Sequence, residues 1–412
     1  MPDDDEILVG LDIGTTKICC IAAVPNRQGH LEIIGIGNAV SMGMSRGIVT
    51  NIDATTNSID QAVKECQRMC GRRIDAVYVG IAGGHVHSFN SQGIVAVRDK
   101  DKKIITETDK KRAIDAALAL NIPMDRDIIQ NIPQEFKVDD IEGILDPLGM
   151  VGVRLEVKVH VITCAFNALQ NLINCVGATG LDTRDVILES LASAEAVLTP
   201  QEMEVGSAIL DIGGGTTDIA IFSGGTVKHS AVLALGGDSL TSDLAVGLKT
   251  TMDAAEGLKL TQGACLPKFM ASLEPINVPS IGGMAPVQVD AEFFCTILEK
   301  RVEEIMDHVH REFIRCGYNE EAHQVVITGG SSLLAGMADL ANQIFNRPVR
   351  IGIPRCEGGL SGLVNDPKFS TAVGLILYGL NHNEDALTVS KSEKPGPSLW
   401  TRLWQRLKSM IS

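Results

Sequence analysis

The chain carries nearly the same strand-and-loop string twice. Residues 11–17 read Leu-Asp-Ile-Gly-Thr-Thr-Lys, and residues 210–218, about 199 positions later, read Leu-Asp-Ile-Gly-Gly-Gly-Thr-Thr-Asp. A short apolar run, typical of a buried strand, precedes each copy. One anion-binding turn built twice in one chain predicts two related halves that face a shared ligand.

The residue types of the two loops point to phosphate. Glycines let the backbone turn sharply and approach an anion closely, and successive N–H groups then form a concave nest for it. The threonines add hydroxyl donors, and Lys17 adds a positive charge. Asp12 and Asp211, which end the strands, would repel phosphate directly, so we expect them to hold a hydrated Mg²⁺ that bridges to it. A single Asp-x-Gly-Thr string also occurs at ordinary turns, so only the pair is informative.

Size, charge and cysteine content narrow the class of protein. A chain of 412 residues is long enough for two or more domains, and 41 glycines with few aromatic residues favour an α/β protein with many turns. The net charge of −15 argues against binding along a nucleic-acid backbone. The ten cysteines show no Cys-x-x-Cys pair and no metal-ligand spacing, which predicts a reduced, cytosolic protein.

The pattern of elements changes twice along the chain. Between Gly84 and about Val159 a charged turn, an amphipathic helix and several prolines interrupt the scaffold, which predicts an inserted subdomain. After the second loop a hairpin ends at Gly236-Gly237, and a second subdomain is expected to continue to about Arg315. Residues 325–332 form another strand that enters a Thr-Gly-Gly-Ser turn, and residues 381–397 are polar and read as a linker.

Two Asp-x-Gly-Thr loops followed by a strand-Thr-Gly-Gly-Ser turn resemble the actin, Hsp70 and sugar-kinase superfamily of ATP-binding proteins. Within it, the chain resembles the FtsA family of bacterial cell-division proteins, through segments 41–47, 132–136, 146–154 and 160–163. The resemblance implies an α/β, actin-like (ribonuclease H-like) duplicated two-domain ATPase fold with inserted subdomains and a C-terminal amphipathic helix.

The same resemblance divides the chain into the subdomains of that family. They are 1A at 1–83 and 160–206, the insert 1C at 84–159, 2A at 207–235 and 316–382, and 2B at 236–315, followed by a flexible linker at 383–397 and an amphipathic membrane-targeting helix at 398–412.

The resemblance also implies a set of ligands for ATP and Mg²⁺. The phosphates would lie between Gly14, Thr15, Thr16 and Lys17 on one side and Gly213, Gly214, Gly215, Thr216 and Thr217 on the other, with Gly236 and Gly237 nearby. Glu256 and Lys259, one helical turn apart, would bond ribose and adenine, and Gly329, Gly330 and Ser331 would pass under the base. Asp12, Asp211 and Asp218 would orient the waters of the magnesium ion.

Whether ATP is hydrolysed stays open in the sequence. In chaperone relatives a glutamate before the interdomain helix positions the attacking water, and Glu189 occupies the matching position. The alternative is a solvated carboxylate that the helix dipole favours at a helix start. The resemblance implies an ATP-binding protein with at most weak ATPase activity.

The C-terminal segment predicts a membrane-binding helix. Its apolar side chains recur at steps of three and four residues, and from Lys391 onward the sequence contains five basic residues and one acidic residue. Fourteen residues span only about 21 Å, too short to cross a bilayer but able to lie in its interface. The alternatives are a helix that folds back onto the body or pairs with a partner protein. The predicted membrane residues are Leu399, Trp400, Arg402, Leu403, Trp404, Arg406, Leu407, Lys408, Met410 and Ile411.

The family resemblance implies a cell-division role on the cytoplasmic face of the inner membrane, at the division septum. The expected partners are the C-terminal tail of FtsZ on subdomain 2B, further copies of the chain in a filament, later division proteins and anionic lipid. Two alternatives share the cleft: a sugar-kinase-type phosphotransferase and an actin-like protein of pilus assembly.

Overall fold

The computed structural model describes residues 7–26, 31–98, 102–283, 285–356 and 358–389, with backbone alone for 382–389. The predicted membrane helix at 398–412 therefore lies outside the described residues, as do residues 390–397 of the predicted linker.

The described residues form strands and helices in alternation. The strands are β1 (Leu8–Ile13), β2 (Lys17–Pro25), β3 (Leu31–Val40), β4 (Met44–Ser45), β5 (Ile48–Val49), β6 (Ala76–Ile81), β7 (His87–Ala96), β8 (Arg126–Val138), β9 (Ile141–Ile144), β10 (Arg154–Ala165), β11 (Asp182–Leu188), β12 (Ser207–Ile212), β13 (Thr217–Ser223), β14 (Thr226–Leu233), β15 (Ile276–Val278), β16 (Val287–Val289), β17 (Gln324–Thr328) and β18 (Val349–Ile351). The α-helices are α1 (Ile52–Cys70), α2 (Glu107–Leu118), α3 (Phe166–Ala178), α4 (Glu189–Val197), α5 (Pro200–Val205), α6 (Gly237–Leu248), α7 (Met252–Gln262), α8 (Ala291–Cys316), α9 (Met337–Phe345) and α10 (Ser370–Val389).

Two five-stranded sheets share one topology, as the repeated string predicts. Their strand orders are β11-β6-β1-β2-β3 and β14-β13-β12-β17-β18. In each sheet the first three strands along the chain, β1-β2-β3 and β12-β13-β14, form an antiparallel meander. The two later strands, β6 and β11 or β17 and β18, pair in parallel with the first strand of the meander and with each other. The register is also repeated, because Asp12 lies opposite Cys19 and Asp211 lies opposite Asp218. The duplicated loops therefore leave equivalent positions of two equivalent sheets.

One apolar core surrounds the first sheet and continues to part of the second sheet, where it includes Ile209, Ala220 and Val326. Other buried residues of the second sheet belong to a second core. All six residues of β1 and of β12 are buried. Helix α1 covers the first sheet with a stripe at helical spacing that includes Ile59, Ala62 and Cys66. Gly37 of β3 permits this packing, since a Cβ there would overlap the Ala62 carbonyl oxygen. The close contact fixes the meander from which the first loop begins.

The insert is a separate layer with a four-stranded sheet in the order β7-β10-β8-β9. Helix α2 is capped at its N-terminus by a capping box of Thr106 and Asp109. It packs on one face of this sheet, and the two enclose a small apolar core. Strand β10 pairs with β7 as far as Thr163 and with β8 as far as Ala165. Residues 160–165, expected in subdomain 1A, therefore continue the sheet of the insert, and residues 159–164 are all buried.

Two helices connect the halves, and they pack against each other. Helix α4 leads from the first sheet toward β12, and α10 returns from the second half to cover β1. Helix α10 continues to Val389, so residues 383–389 of the predicted linker are helical; this stretch contains neither glycine nor proline. Within the described part of the chain, no helix is long and apolar enough to cross a bilayer.

Candidate functional site

Both loops close with the same main-chain hydrogen bond. The Gly14 amide donates to the Lys17 carbonyl oxygen at 3.0 Å, and the Gly213 amide donates to the Thr216 carbonyl oxygen at 3.0 Å. These bonds join equivalent positions of the two copies, so the repeated string folds into one turn twice. In each turn the remaining amides stay available for a ligand, which is the arrangement of an anion nest.

The two loops contact each other across the cleft between the halves. A Cβ on Gly214 would lie 2.5 Å from Thr16 Cγ2 and 2.9 Å from its hydroxyl oxygen. A Cβ on Gly215 would overlap the Thr15 hydroxyl. Glycine is required here because the partner loop fills the space, which the sequence argument, based on ligand approach alone, did not foresee.

The loops form one end of a cavity of about 610 Å³ between the halves. The predicted residues that line it are Asp12, Gly14, Thr15, Thr16, Lys17, Glu189, Asp211, Gly213, Gly214, Gly215, Thr216, Gly237, Glu256, Lys259, Gly329, Gly330 and Ser331. A volume of this size, with polar groups from both halves, is typical of a small-molecule site.

Three predicted residues lie behind the wall of the cavity. Thr217 is fully buried and donates its hydroxyl proton to the Leu235 carbonyl oxygen at 2.8 Å. Gly236 supports the second loop, because a Cβ there would lie 2.6 Å from the Gly214 carbonyl oxygen. Asp218 sits behind Thr216, whose hydroxyl donates to it at 2.8 Å. Thr217 and Asp218 are both buried, on opposite faces of β13.

Four acidic side chains lie together beneath the loops, of which Asp12, Asp211 and Asp218 are buried and Glu189 is half-buried. Burial, with Asp211 nearby, raises the pKa of Asp12 to about 6 despite the opposing effect of Lys17. Burial and the neighbouring acids raise the pKa of Glu189 and of Asp218 well above their ordinary values. Burial also raises the pKa of Asp211, although two hydroxyl groups partly compensate. Protein cations compensate only part of the negative charge of this acidic cluster. A bound divalent cation would stabilise such a cluster.

Asp211 ties the second loop to both connecting helices. Its Oδ2 atom accepts hydrogen bonds from the hydroxyls of Ser193 on α4 and Thr371 on α10, the latter at 2.9 Å. The two hydroxyl oxygens lie 3.1 Å apart. One Asp211 oxygen is thereby committed to the scaffold, so this residue positions helices as well as facing the cavity.

The remaining acids fit a hydrated magnesium ion better than a directly ligated one. Asp218 Oδ1 is buried and has no hydrogen-bond partner, so it is free to accept from a water molecule. Within residues 7–389, excluding the gaps, no group of three or more His, Cys, Asp or Glu side chains is arranged to hold a metal ion directly. That Asp12, Asp211 and Asp218 act on such an ion through water stays a prediction from the sequence.

An ion pair of Glu256 and Lys259 lines the end of the cavity away from the Asp-x-Gly loops. Lys259 Nζ lies 2.7 Å from Glu256 Oε2 and also donates to the Gly237 carbonyl oxygen at 3.1 Å. Thr241 donates to Glu256 as well. Ser331 donates to the Gly213 carbonyl oxygen at 2.8 Å and so joins the glycine turn after β17 to the second loop. The sequence predicted this pair and this turn on one ligand, and they do line one cavity.

The cavity also includes residues that the sequence argument missed. They are Asp238, Leu240, Leu260, Gly263, Leu333, Leu334, Ala335, Pro367, Lys368 and Thr371. The leucines make the far end apolar, and the Lys368 carbonyl oxygen accepts a 2.7 Å hydrogen bond from Lys17 Nζ. Since Lys17 and Lys368 are 351 positions apart, no local pattern could have joined them.

Two protein-family models match the chain, one over the second half and one over the insert. The family model "Cell division protein FtsA" matches residues 208–374, and the model "SHS2 domain inserted in FTSA" matches residues 83–163, close to the predicted insert. The cell division protein FtsA of Pseudomonas aeruginosa is 44% identical over 94% of this chain and 92% of its own length. The Escherichia coli K12 protein of the same name is 33% identical over 99% of this chain and 98% of its length.

Solved structures resemble the fold at low sequence identity. A PilM-PilN type IV pilus biogenesis complex has a TM-score of 0.66 and 17% identity, covering 90% of this chain and 98% of that one. MreB5 of Spiroplasma citri bound to ADP has a TM-score of 0.56 and 15% identity, covering 92% of this chain and 98% of that one. These likenesses confirm the predicted actin-like α/β fold with an insert.

Proposed function

Because the chain belongs to the FtsA family and is therefore an actin-like cell division protein, we propose that it binds ATP with Mg²⁺ in the cleft. We further propose that it polymerises on the inner face of the cytoplasmic membrane, anchors the FtsZ ring through subdomain 2B and recruits later division proteins at the septum. The MreB5 structure bound to ADP supports binding of a nucleotide by this fold.

The observation that carries the ATP proposal is the meeting of two identical turns over one cavity. Gly14 and Gly213 make equivalent hydrogen bonds, and their loops supply amides and hydroxyls from both halves. Lys17 adds a cation at the same end, and buried acids with an unpartnered carboxylate oxygen suit Mg²⁺ waters. A bound magnesium ion would supply charge neutralisation for the phosphates.

Isothermal titration calorimetry with ATP, with and without Mg²⁺, tests the proposal. Gly214→Ala places a Cβ against Thr16, and forcing the loops apart should weaken ATP binding at least about tenfold, the equivalent of 1.4 kcal/mol. Lys17→Ala should also weaken it, through loss of charge. Gly257→Ala on α7 is the matched control, since a Cβ there meets nothing within 4 Å. Equal affinity for all four proteins would refute the assignment.

Glu189 is proposed to orient an attacking water molecule. It begins α4 at the cavity wall, and burial together with the neighbouring acids raises its pKa well above the ordinary value. Glu189→Gln should then abolish any phosphate release while ATP binding remains. Phosphate release that persists in the variant would leave Glu189 as a structural carboxylate at a helix start.

A product assay tests the first alternative function, and sequence identity bears on the second. A sugar-kinase-type phosphotransferase would form a phosphorylated sugar from ATP and a candidate sugar, which mass spectrometry detects. The likeness to the pilus complex rests on 17% identity and indicates the fold alone, whereas the relatives at 33% to 44% identity are cell division proteins.

A further inference from the structure

The insert covers the open edge of the second sheet. Strand β14 is the last strand of that sheet, so its outward carbonyl groups lack a strand partner. Side chains of the insert satisfy them: Ser88 Oγ donates to the Ser230 carbonyl oxygen at 2.6 Å, and Gln134 Nε2 donates to the Val227 carbonyl oxygen at 2.6 Å. Asn90 Nδ2 donates to the Lys228 carbonyl oxygen at 3.1 Å. We call this contact the seam.

A buried histidine links two of the seam residues by hydrogen bonds at both of its ring nitrogens. His160 of β10 is fully buried, with Nδ1 2.7 Å from Asn90 Oδ1 and Nε2 2.9 Å from Ser230 Oγ. Since the Asn90 amide nitrogen donates to a carbonyl, its oxygen must accept from Nδ1–H. Nε2 is then the acceptor for the Ser230 hydroxyl proton. Every polar atom in this chain of bonds has one consistent role, so the contact is specific.

The seam joins the two halves of the molecule. The insert is connected at its two ends to β6 and α3, which belong to the first half, while β14 belongs to the second. Gln134, His160 and Ser230 are each at most 2% exposed, so water competes little for these bonds. Any motion that separates the halves at the cleft must also shear or break the seam.

We propose that the insert acts as a clasp between the two halves, holding the edge strand of the second sheet and so limiting how far the cleft opens. The proposal rests on the nucleotide site proposed above, because the cleft that it restrains is the one between the two loops. Loosening the clasp should therefore speed release of a bound nucleotide.

Strand β7 offers a matched pair of variants. Ser88 donates across the seam at 2.6 Å, while Ser91, three residues along, donates at 2.7 Å to the Ala117 carbonyl oxygen within the insert. Ser88→Ala and Ser91→Ala therefore remove the same kind of bond, and only the first crosses between halves. Gln134→Met removes the second seam bond while preserving side-chain length.

Stopped-flow release of a fluorescent ATP analogue from the full-length protein measures the effect. Ser88→Ala and Gln134→Met should each speed release about threefold, and the double variant about tenfold, as expected for losing one and two hydrogen bonds. Ser91→Ala should leave release unchanged. Equal effects of Ser88→Ala and Ser91→Ala, or no effect of either seam variant, would overturn the clasp.

Hydrogen exchange in the ligand-free protein separates the clasp from the nucleotide site. The Gly213, Gly237 and Asp238 amides are hydrogen-bonded at the second loop, where Gly214 and Gly215 meet the opposing loop. They should exchange faster in the double variant and at the wild-type rate in Ser91→Ala. If wild-type protein does not bind the analogue, the proposed function fails and this exchange alone decides the clasp. Unchanged exchange in the double variant would then overturn it.

Discussion

At the residue scale, His160 makes folding stability depend on pH. Burial, and to a smaller extent His229, lower the pKa of His160 to about 3, from the ordinary value of 6.5. The unfolded chain therefore takes up the proton first as the pH falls below 6.5, and stability is lost from there down to about pH 3. Between pH 7 and pH 5 this single group should cost about 2 kcal/mol of unfolding free energy.

His160→Gln isolates that contribution. The variant loses hydrogen bonds at every pH, but it lacks the titrating ring. The difference in unfolding free energy between wild type and variant, measured by urea at pH 7 and pH 5, should therefore shrink by about 2 kcal/mol at the lower pH. Ser91→Ala, which removes a hydrogen bond but no titrating ring, is the control and should show a constant difference. A constant difference for His160→Gln as well would mean that the buried ring accepts a proton without penalty.

At the element scale, the crossing of α4 and α10 depends on one glycine. A Cβ on Gly374 would overlap the Ala192 carbonyl oxygen, and neither backbone can shift without moving a connecting helix. Gly374→Ala should destabilise the protein by about 1–3 kcal/mol, the usual result of overpacking. Gly177→Ala, near the end of α3, meets nothing within 4 Å and should stabilise by up to about 1 kcal/mol. Thermal unfolding should thus move in opposite directions, and matching shifts would contradict the packing argument.

Two short 3₁₀-helices, Pro267–Phe269 and Pro367–Phe369, share the sequence Pro-Lys-Phe, and their lysines give a matched test of Lys368, which the sequence argument missed. Lys368 lines the cavity and pairs with Asp366 at 3.0 Å, while Lys268 pairs with Asp339 at 3.0 Å outside it. Lys368→Met should weaken ATP binding about three- to tenfold, through loss of one charged contact, and Lys268→Met should not. Calorimetry of both variants decides it. Equal losses would indicate a general charge effect.

How much the sequence could predict depended on whether a contact was local. The loops at Gly14 and Gly213 were readable because each turn is written in consecutive residues, and their duplication predicted two matching sheets. The loop string includes Thr217 and Asp218, but the Thr217 hydroxyl is used by the Leu235 carbonyl oxygen and Asp218 accepts from Thr216, contacts that no local pattern shows. Lys368 was missed because its place is set by a fold-back across 351 positions.

At the scale of the whole molecule, the contacts that join the halves around one cavity include α4, α10 and the seam. Helices α4 and α10 meet at Asp211, and the insert joins the second sheet through the seam. The loops touch at Thr16 and Gly214 between these connections. A ligand that bridges the loops would therefore act on all three at once, which links occupancy of the cavity to the orientation of the insert.

The body so described is strongly acidic, and the segment proposed to reach the membrane is basic. The net charge of the chain is −15, whereas residues 391–412 carry five basic residues and one acidic residue. Anionic lipid would repel the body, so membrane binding should depend on the tail, with its indoles at headgroup depth and its basic side chains near the lipid charges.

Deleting residues 398–412 should abolish co-sedimentation with anionic vesicles while ATP binding, measured by calorimetry, is unchanged. Substituting Trp400 and Trp404 by alanine should weaken binding at every salt concentration, because it removes buried apolar area. Substituting Arg402 and Arg406 by glutamine should weaken it mainly at low salt, where charge attraction is unscreened. Vesicles of neutral lipid control for the apolar contribution. Undiminished lipid binding by the deletion variant would show that another surface of the protein meets the membrane, and the anchor proposal would then be wrong.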